Sequence, residues 1–141
     1  MNVVDSSAWL EFFGDGPNAA QFAKVIEKPS ELVVPTLSIF EVFKRTLQLK
    51  GEPAALDAAA VMLQGDVVDL TAGIAIDAAR LSVELRLPLA DSIILATAQA
   101  RDATLWTQDA HFEGIKNVEF RRAKPQKAGQ QADGPDNAKR L

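Results

Sequence analysis

Apolar residues follow two rhythms along this chain: short unbroken runs, and longer stretches where they recur every three or four positions. Val3-Val4 and Leu32-Val33-Val34-Pro35 are unbroken runs, Val67 to Leu70 and Thr104 to Thr107 are short apolar stretches with one or two polar residues, and Val118-Glu119-Phe120 is a last short one. Such runs, bounded by polar or turn-forming residues, predict buried strands. Between them lie helical patterns. Trp9, Phe12 and Phe13 mark the first, broken by Gly14-Asp15-Gly16-Pro17; Ala20, Phe22, Val25 and Ile26 mark the second, ended by Lys28-Pro29-Ser30. Thr36 or Ser38 is placed to cap a long helix running to Lys50 with Gly51 as its stop, and Pro53 opens a further helix through Leu63. Ala72 to Arg86 and, after Leu87-Pro88-Leu89, Ala90 to Ala100 complete the set. Strands separated by helical crossovers imply an α/β fold, a mostly parallel sheet covered by helices on both faces.

At 141 residues the chain is expected to form one domain, and 48% hydrophobic with 24% charged residues suits a folded globular protein. Cysteine is absent, which excludes disulfides, thiolate metal sites and a thiol nucleophile. No basic stretch followed by an apolar run opens the chain, and the longest apolar run, Ala58 to Leu63, is far short of a membrane span. A cytoplasmic protein beginning at Met1 is expected. The net charge of −4 is unevenly placed: of the 15 basic and 19 acidic residues, six and two fall in residues 121–141, leaving nine and 17 in the first 120. A body of net −8 grips phosphate poorly by charge alone, so a nucleic-acid substrate would require metal ions to invert the local sign. Beyond Arg122 the apolar residues are four alanines and Leu141, and a folded domain over 1–122 with a disordered basic tail over 123–141 is expected.

Four acids stand out by position. Asp5 follows the first strand and Asp109 the fourth, where ligand sites of open α/β sheets gather. Asp91 starts a helix continuing as Ile93, Ile94, Leu95 and Ala96, and Glu41 sits between Phe40 and Val42-Phe43 in a largely apolar helix. Clustered carboxylates are the ligands hard divalent cations such as Mg²⁺ and Mn²⁺ prefer, and a cation so held lowers the pKa of water for attack on phosphorus. Ser6 and Thr107 are placed to support these carboxylates by hydrogen bonds. Each acid also has a plainer explanation: Asp5 as an N-cap, Asp91 as a first-turn acid, Glu41 paired on the surface with Arg45, Asp109 closing an Asx turn.

Four segments resemble the PIN-domain family, in particular VapC toxins of toxin–antitoxin pairs: Val4-Asp5-Ser6-Ser7; Val34-Pro35 through Ser38 to Glu41; Leu89-Ala90-Asp91-Ser92-Ile93-Ile94; and Leu105-Trp106-Thr107-Gln108-Asp109-Ala110-His111-Phe112. Their order and separations carry the resemblance from Val3 to Phe120. It implies a PIN-like three-layer α/β/α fold with a central sheet of four to five strands. It further implies an Mg²⁺- or Mn²⁺-dependent endoribonuclease hydrolysing RNA with metal-activated water, with Asp5, Glu41, Asp91 and Asp109 as ligands. Homodimerisation and inhibition by a cognate antitoxin are implied as well. Some relatives carry a further acid near the last motif where this chain has His111, which implies that one metal is bound more firmly than a second.

A lone loop histidine is more often structural or solvated than catalytic, and His111 is read so. Phe112, Trp9, Phe12 and Phe13 are read as core, although an exposed subset would suit a dimer or antitoxin contact. A catalytically silent RNA- or partner-binding module is the alternative function; its signature, a missing acid, is absent. A phosphatase of the haloacid dehalogenase type needs a second Asp two residues after the first, where Ser7 stands, and a receiver domain needs paired acids near the first strand.

Overall fold

A computed structural model describes residues Met1–Pro125; most of the expected tail, from 126 on, lies outside the described residues. The elements run β1 (Asn2–Val4), α1 (Ser6–Phe13), α2 (Ala19–Ile26), β2 (Leu32–Pro35), α3 (Thr36–Lys50), α4 (Glu52–Met62), β3 (Asp66–Val68), α5 (Ala72–Leu85), α6 (Leu89–Ala100), β4 (Thr104–Thr107) and β5 (Val118–Phe120). Short 3₁₀ turns precede β2 and follow β4. Every strand pairing is parallel, in the order β3-β2-β1-β4-β5.

Alternation along the central strands divides the core. Val3, Val33 and Leu105 face Ile74 and Ala78 of α5 and Ile93 and Ile94 of α6. Val4 and Val34 face the opposite layer, where Trp9, Phe22, Val42, Ala58 and Met62 of α1 to α4 pack. Side chains one residue apart on a strand point to opposite faces, so two adjacent valines serve both cores. The result is the expected three-layer α/β/α arrangement, with, among the described residues, a five-stranded sheet flanked by six helices.

Local departures have local causes. Neither Thr36 nor Ser38 caps α3: the helix starts at Thr36 directly from Pro35, whose extended backbone leads in, and Ser38 is buried within it. Gly51 does end α3, at φ 88°, a conformation costly for any side-chain-bearing residue. The third strand starts at Asp66 and stops at Val68, since Leu70 is exposed beyond the sheet. On α2 the buried alanine is Ala19; Ala20 faces outward.

Candidate active site

Parallel pairing puts the carboxyl ends of β1, β2 and β4 on one edge, so the chain leaves β1 at Asp5 and β4 at Thr107-Gln108-Asp109 beside one another. The backbone N–H of Asp5 donates to the Trp106 carbonyl at 2.9 Å, fixing the two exits together. Asp5 stands at the N-cap position of α1, yet its side chain makes no capping bond. It accepts instead from the hydroxyls of Ser7 and Thr107, each at 2.8 Å on Oδ2. The plain capping explanation for Asp5 therefore does not describe its carboxylate.

Thr107 acts twice, since its Oγ1 also accepts from the Asp109 backbone N–H at 2.9 Å. Asp109 begins the 3₁₀ turn Ala110–Phe112 and its Oδ1 accepts from the His111 N–H at 2.9 Å, so the Asx-turn geometry is present in addition to the carboxylate's place beside Asp5. Phe112, fully buried, pins this turn to the core. Asp91 sits in the first turn of α6, where the helix dipole favours an anion, and its Oδ2 lies 2.9 Å from His111 Nδ1. Glu41 stands one step removed: its Oε1 accepts from Ser6 Oγ at 2.7 Å, linking α3 to the first residue of α1. Arg45, expected on the surface one turn beyond Glu41, is buried.

The structure thus brings Asp109 close enough for its charge to act on both Asp5 and Asp91, and attaches Glu41 through Ser6. Asp5, 3% exposed, is pushed up to about 6, first by burial and further by the Asp109 charge, against the pull of the Ser7 and Thr107 hydroxyls. Asp91 is also pushed up to about 6, by burial and then by the charges of Asp109 and Asp5, with His111 opposing. Negative charge here is under-compensated, and a divalent cation among these oxygens would relieve both burial and repulsion. The donor set fits such an ion: Asp91, Asp109 and His111 each offer a ligand atom within 4.8 Å of the others.

Three contributors were not expected from sequence. Ser7 supplies one of the two hydroxyls on Asp5, where only Ser6 and Thr107 were read as supports. Asn18, 1% exposed in the turn before α2, donates its amide hydrogens to Gln108 Oε1 at 3.2 Å and to the Arg122 carbonyl at 3.0 Å, bracing the residue before Asp109. His111 also lies 3.1 Å from Asp109 Oδ1, and the two carboxylates hold its pKa above the ordinary value, Asp109 foremost. A serine pair after an aspartate hints at Ser7; no local signal identifies Asn18.

The family model described as PIN domain matches residues 3–118. No match was found among curated proteins. Among solved structures, the chain is similar to a toxin–antitoxin complex from Klebsiella pneumoniae, at 24% identity and a TM-score of 0.73, covering 85% of this chain and 97% of that one. It is also similar to the sarcin-ricin-loop-cleaving toxin VapC20 of Mycobacterium tuberculosis, at 21% identity, TM-score 0.68, and coverage of 89% and 100%. A third is VapBC2 from Rickettsia felis bound to a promoter DNA fragment, at 16% identity, TM-score 0.67, and coverage of 86% and 97%. At these identities the likenesses establish the fold.

Proposed function

This chain belongs to the PIN domain family, and from that premise we propose that it is a VapC-type toxin, an Mg²⁺- or Mn²⁺-dependent endoribonuclease. The observation that carries the proposal is the convergence of Asp5, Asp91 and Asp109 at the carboxyl edge of the sheet, with Asp5 and Asp91 held near 6 by burial and by the Asp109 charge. Supporting it are the structural neighbours, among them a toxin–antitoxin complex and a toxin that cleaves the sarcin-ricin loop.

Asp5, Asp91 and Asp109 are the metal-holding carboxylates in this reading, with Glu41 completing the acidic wall through Ser6. A bound Mg²⁺ or Mn²⁺ would supply the Lewis acidity that activates water and offsets charge on the phosphodiester. The chain's own residues set the geometry. Thr107 fixes Asp5 and the Asp109 backbone with one hydroxyl; Ser7 holds the same Asp5 oxygen; Ser6 orients Glu41. Locking each carboxylate rotamer beforehand spares that ordering cost when metal and substrate arrive.

The remaining parts of the proposal are an antitoxin partner, a homodimer, a cytoplasmic location and a nuclease domain over 1–122. Neighbours solved with antitoxins support the first. No helix among the described residues is long and apolar enough to cross a membrane. An antitoxin Arg or Lys entering the acidic pocket would compete with metal for the same charge.

The test is incubation of the purified chain with structured and unstructured RNAs in Mg²⁺, Mn²⁺ or chelator. Cleavage only with metal is expected. No cleavage of any RNA by folded protein freed of bound partner would favour the catalytically silent binding module instead.

A further inference from the structure

Resting on the metal-dependent reading above, we infer that His111 is itself a metal ligand, so that Asp91, Asp109 and His111 form a mixed nitrogen–oxygen site preferring Mn²⁺, Co²⁺ or Zn²⁺ over Mg²⁺. His111 Nδ1 lies 2.9 Å from Asp91 Oδ2 and 3.1 Å from Asp109 Oδ1. Ligand atoms about 2.1 Å from one ion and adjacent on its coordination sphere stand about 3 Å apart. The observed separations are of that size. With all three ligand atoms within 4.8 Å of one another, the groups stand close enough for a single cation to be shared among them.

The ring is also placed, not merely nearby. Its backbone N–H is bonded to Asp109 Oδ1, and the next residue, Phe112, is fully buried, so the turn carrying the imidazole is anchored at both ends. The side chain itself is 59% exposed, leaving an ion free to reach Nδ1 without opening the core.

Chemistry then decides the ion. Mg²⁺ takes oxygen ligands almost exclusively, whereas imidazole suits later first-row metals, whose affinities rise from Mn²⁺ through Co²⁺. Replacing one oxygen of a carboxylate site by this nitrogen shifts preference away from Mg²⁺. No other imidazole can supply this nitrogen, since His111 is the chain's one histidine.

The experiment uses the full chain with Mn²⁺ as probe and needs no RNA. Electron spin echo envelope modulation of the Mn²⁺-loaded protein is expected to show coupling to a directly bound ¹⁴N, lost in His111→Ala. Titration followed by the free Mn²⁺ resonance is expected to show Mn²⁺ affinity falling about tenfold or more in His111→Ala, with Mg²⁺ affinity from competition changing much less. His111→Asp, an all-oxygen variant, is expected to narrow the Mn²⁺ over Mg²⁺ preference. Absence of ¹⁴N coupling in the wild type, no Mn²⁺ binding at all, or unchanged Mn²⁺ affinity in His111→Ala would overturn the inference. RNA cleavage without ¹⁴N coupling would leave the nuclease reading standing and remove this one; coupling without cleavage would do the reverse.

Discussion

Two aspartates at opposite edges of the sheet meet opposite treatment. Asp66 opens β3 at the amino edge, half exposed, with Arg101 Nη1 2.6 Å from its carboxylate. Asp5 leaves β1 at the carboxyl edge, buried, and is held by two hydroxyls with the Asp109 charge nearby. One helix serves both edges: α6 carries Asp91 in its first turn and Arg101 at its C-cap, each where the dipole favours its charge. The amino edge neutralises its acid with a side-chain cation and wets both partners. The carboxyl edge gathers acids, buries Asp5 under hydroxyls that orient without neutralising, and leaves one exposed histidine beside Asp91 and Asp109. Such an arrangement costs stability in the free protein and is suited to a ligand of positive charge.

Breaking the carboxyl edge is expected to have the largest effect. Asp91→Asn or Asp5→Asn should lower RNA cleavage by about 10³-fold or more in single-turnover assays, with circular dichroism unchanged. Asp66→Asn, equal in chemistry, should leave cleavage within about twofold.

Next is the support of the carboxylates. Thr107→Val removes the donor to Asp5 and the acceptor for the Asp109 N–H at once. Metal affinity measured by calorimetry should fall about 10- to 100-fold. An unmoved affinity would mean that Thr107 shapes the turn and not the site.

Titration separates the edges further. Asp5 and Asp91 hold their protons up to about 6 in the folded chain, against an ordinary 3.8. Folding therefore takes up protons between those values. Their contribution to stability is full below about pH 4 and is lost as pH rises through 6, the reverse of an acid paired with a cation. For buried Asp5 this amounts to roughly 2–3 kcal/mol. Denaturant unfolding in chelator should show the wild type losing stability between pH 4.5 and about 7 relative to Asp5→Asn, and divalent metal should restore it. Parallel profiles for the two proteins would contradict the buried, uncompensated carboxylate. The smallest effect belongs to the amino edge: Arg101→Ala, breaking an exposed pair, should cost under about 1 kcal/mol at low salt.

Much of this contrast is legible in sequence, and the illegible part has physical reasons. Short valine runs announce β1 and β2 because a strand buried on both faces has no polar alternation to hide it. Asp5 and Asp109 then follow directly, as residues just beyond strand ends. The strand order, with β1 between β2 and β4, depends on long-range pairing that no local pattern encodes. Glu41 is visible as an acid among apolar neighbours, but its bond to Ser6 joins residues 35 apart. Ser7 and Asn18 escape for the same reason: a helix-start serine and a turn asparagine are common, and only folding brings them to Asp5 and Gln108. His111 is dismissed by its loop setting and regained by its distance to two carboxylates.

The most direct single measurement pairs the two edges in one assay: metal-dependent cleavage of a mixed RNA panel by the full chain, by Asp91→Asn and by Asp66→Asn. Cleavage by the wild type and Asp66→Asn, abolished by chelator and absent in Asp91→Asn, is the expected result. Full cleavage by Asp91→Asn, or cleavage that survives the chelator, would contradict a carboxyl-edge metal nuclease.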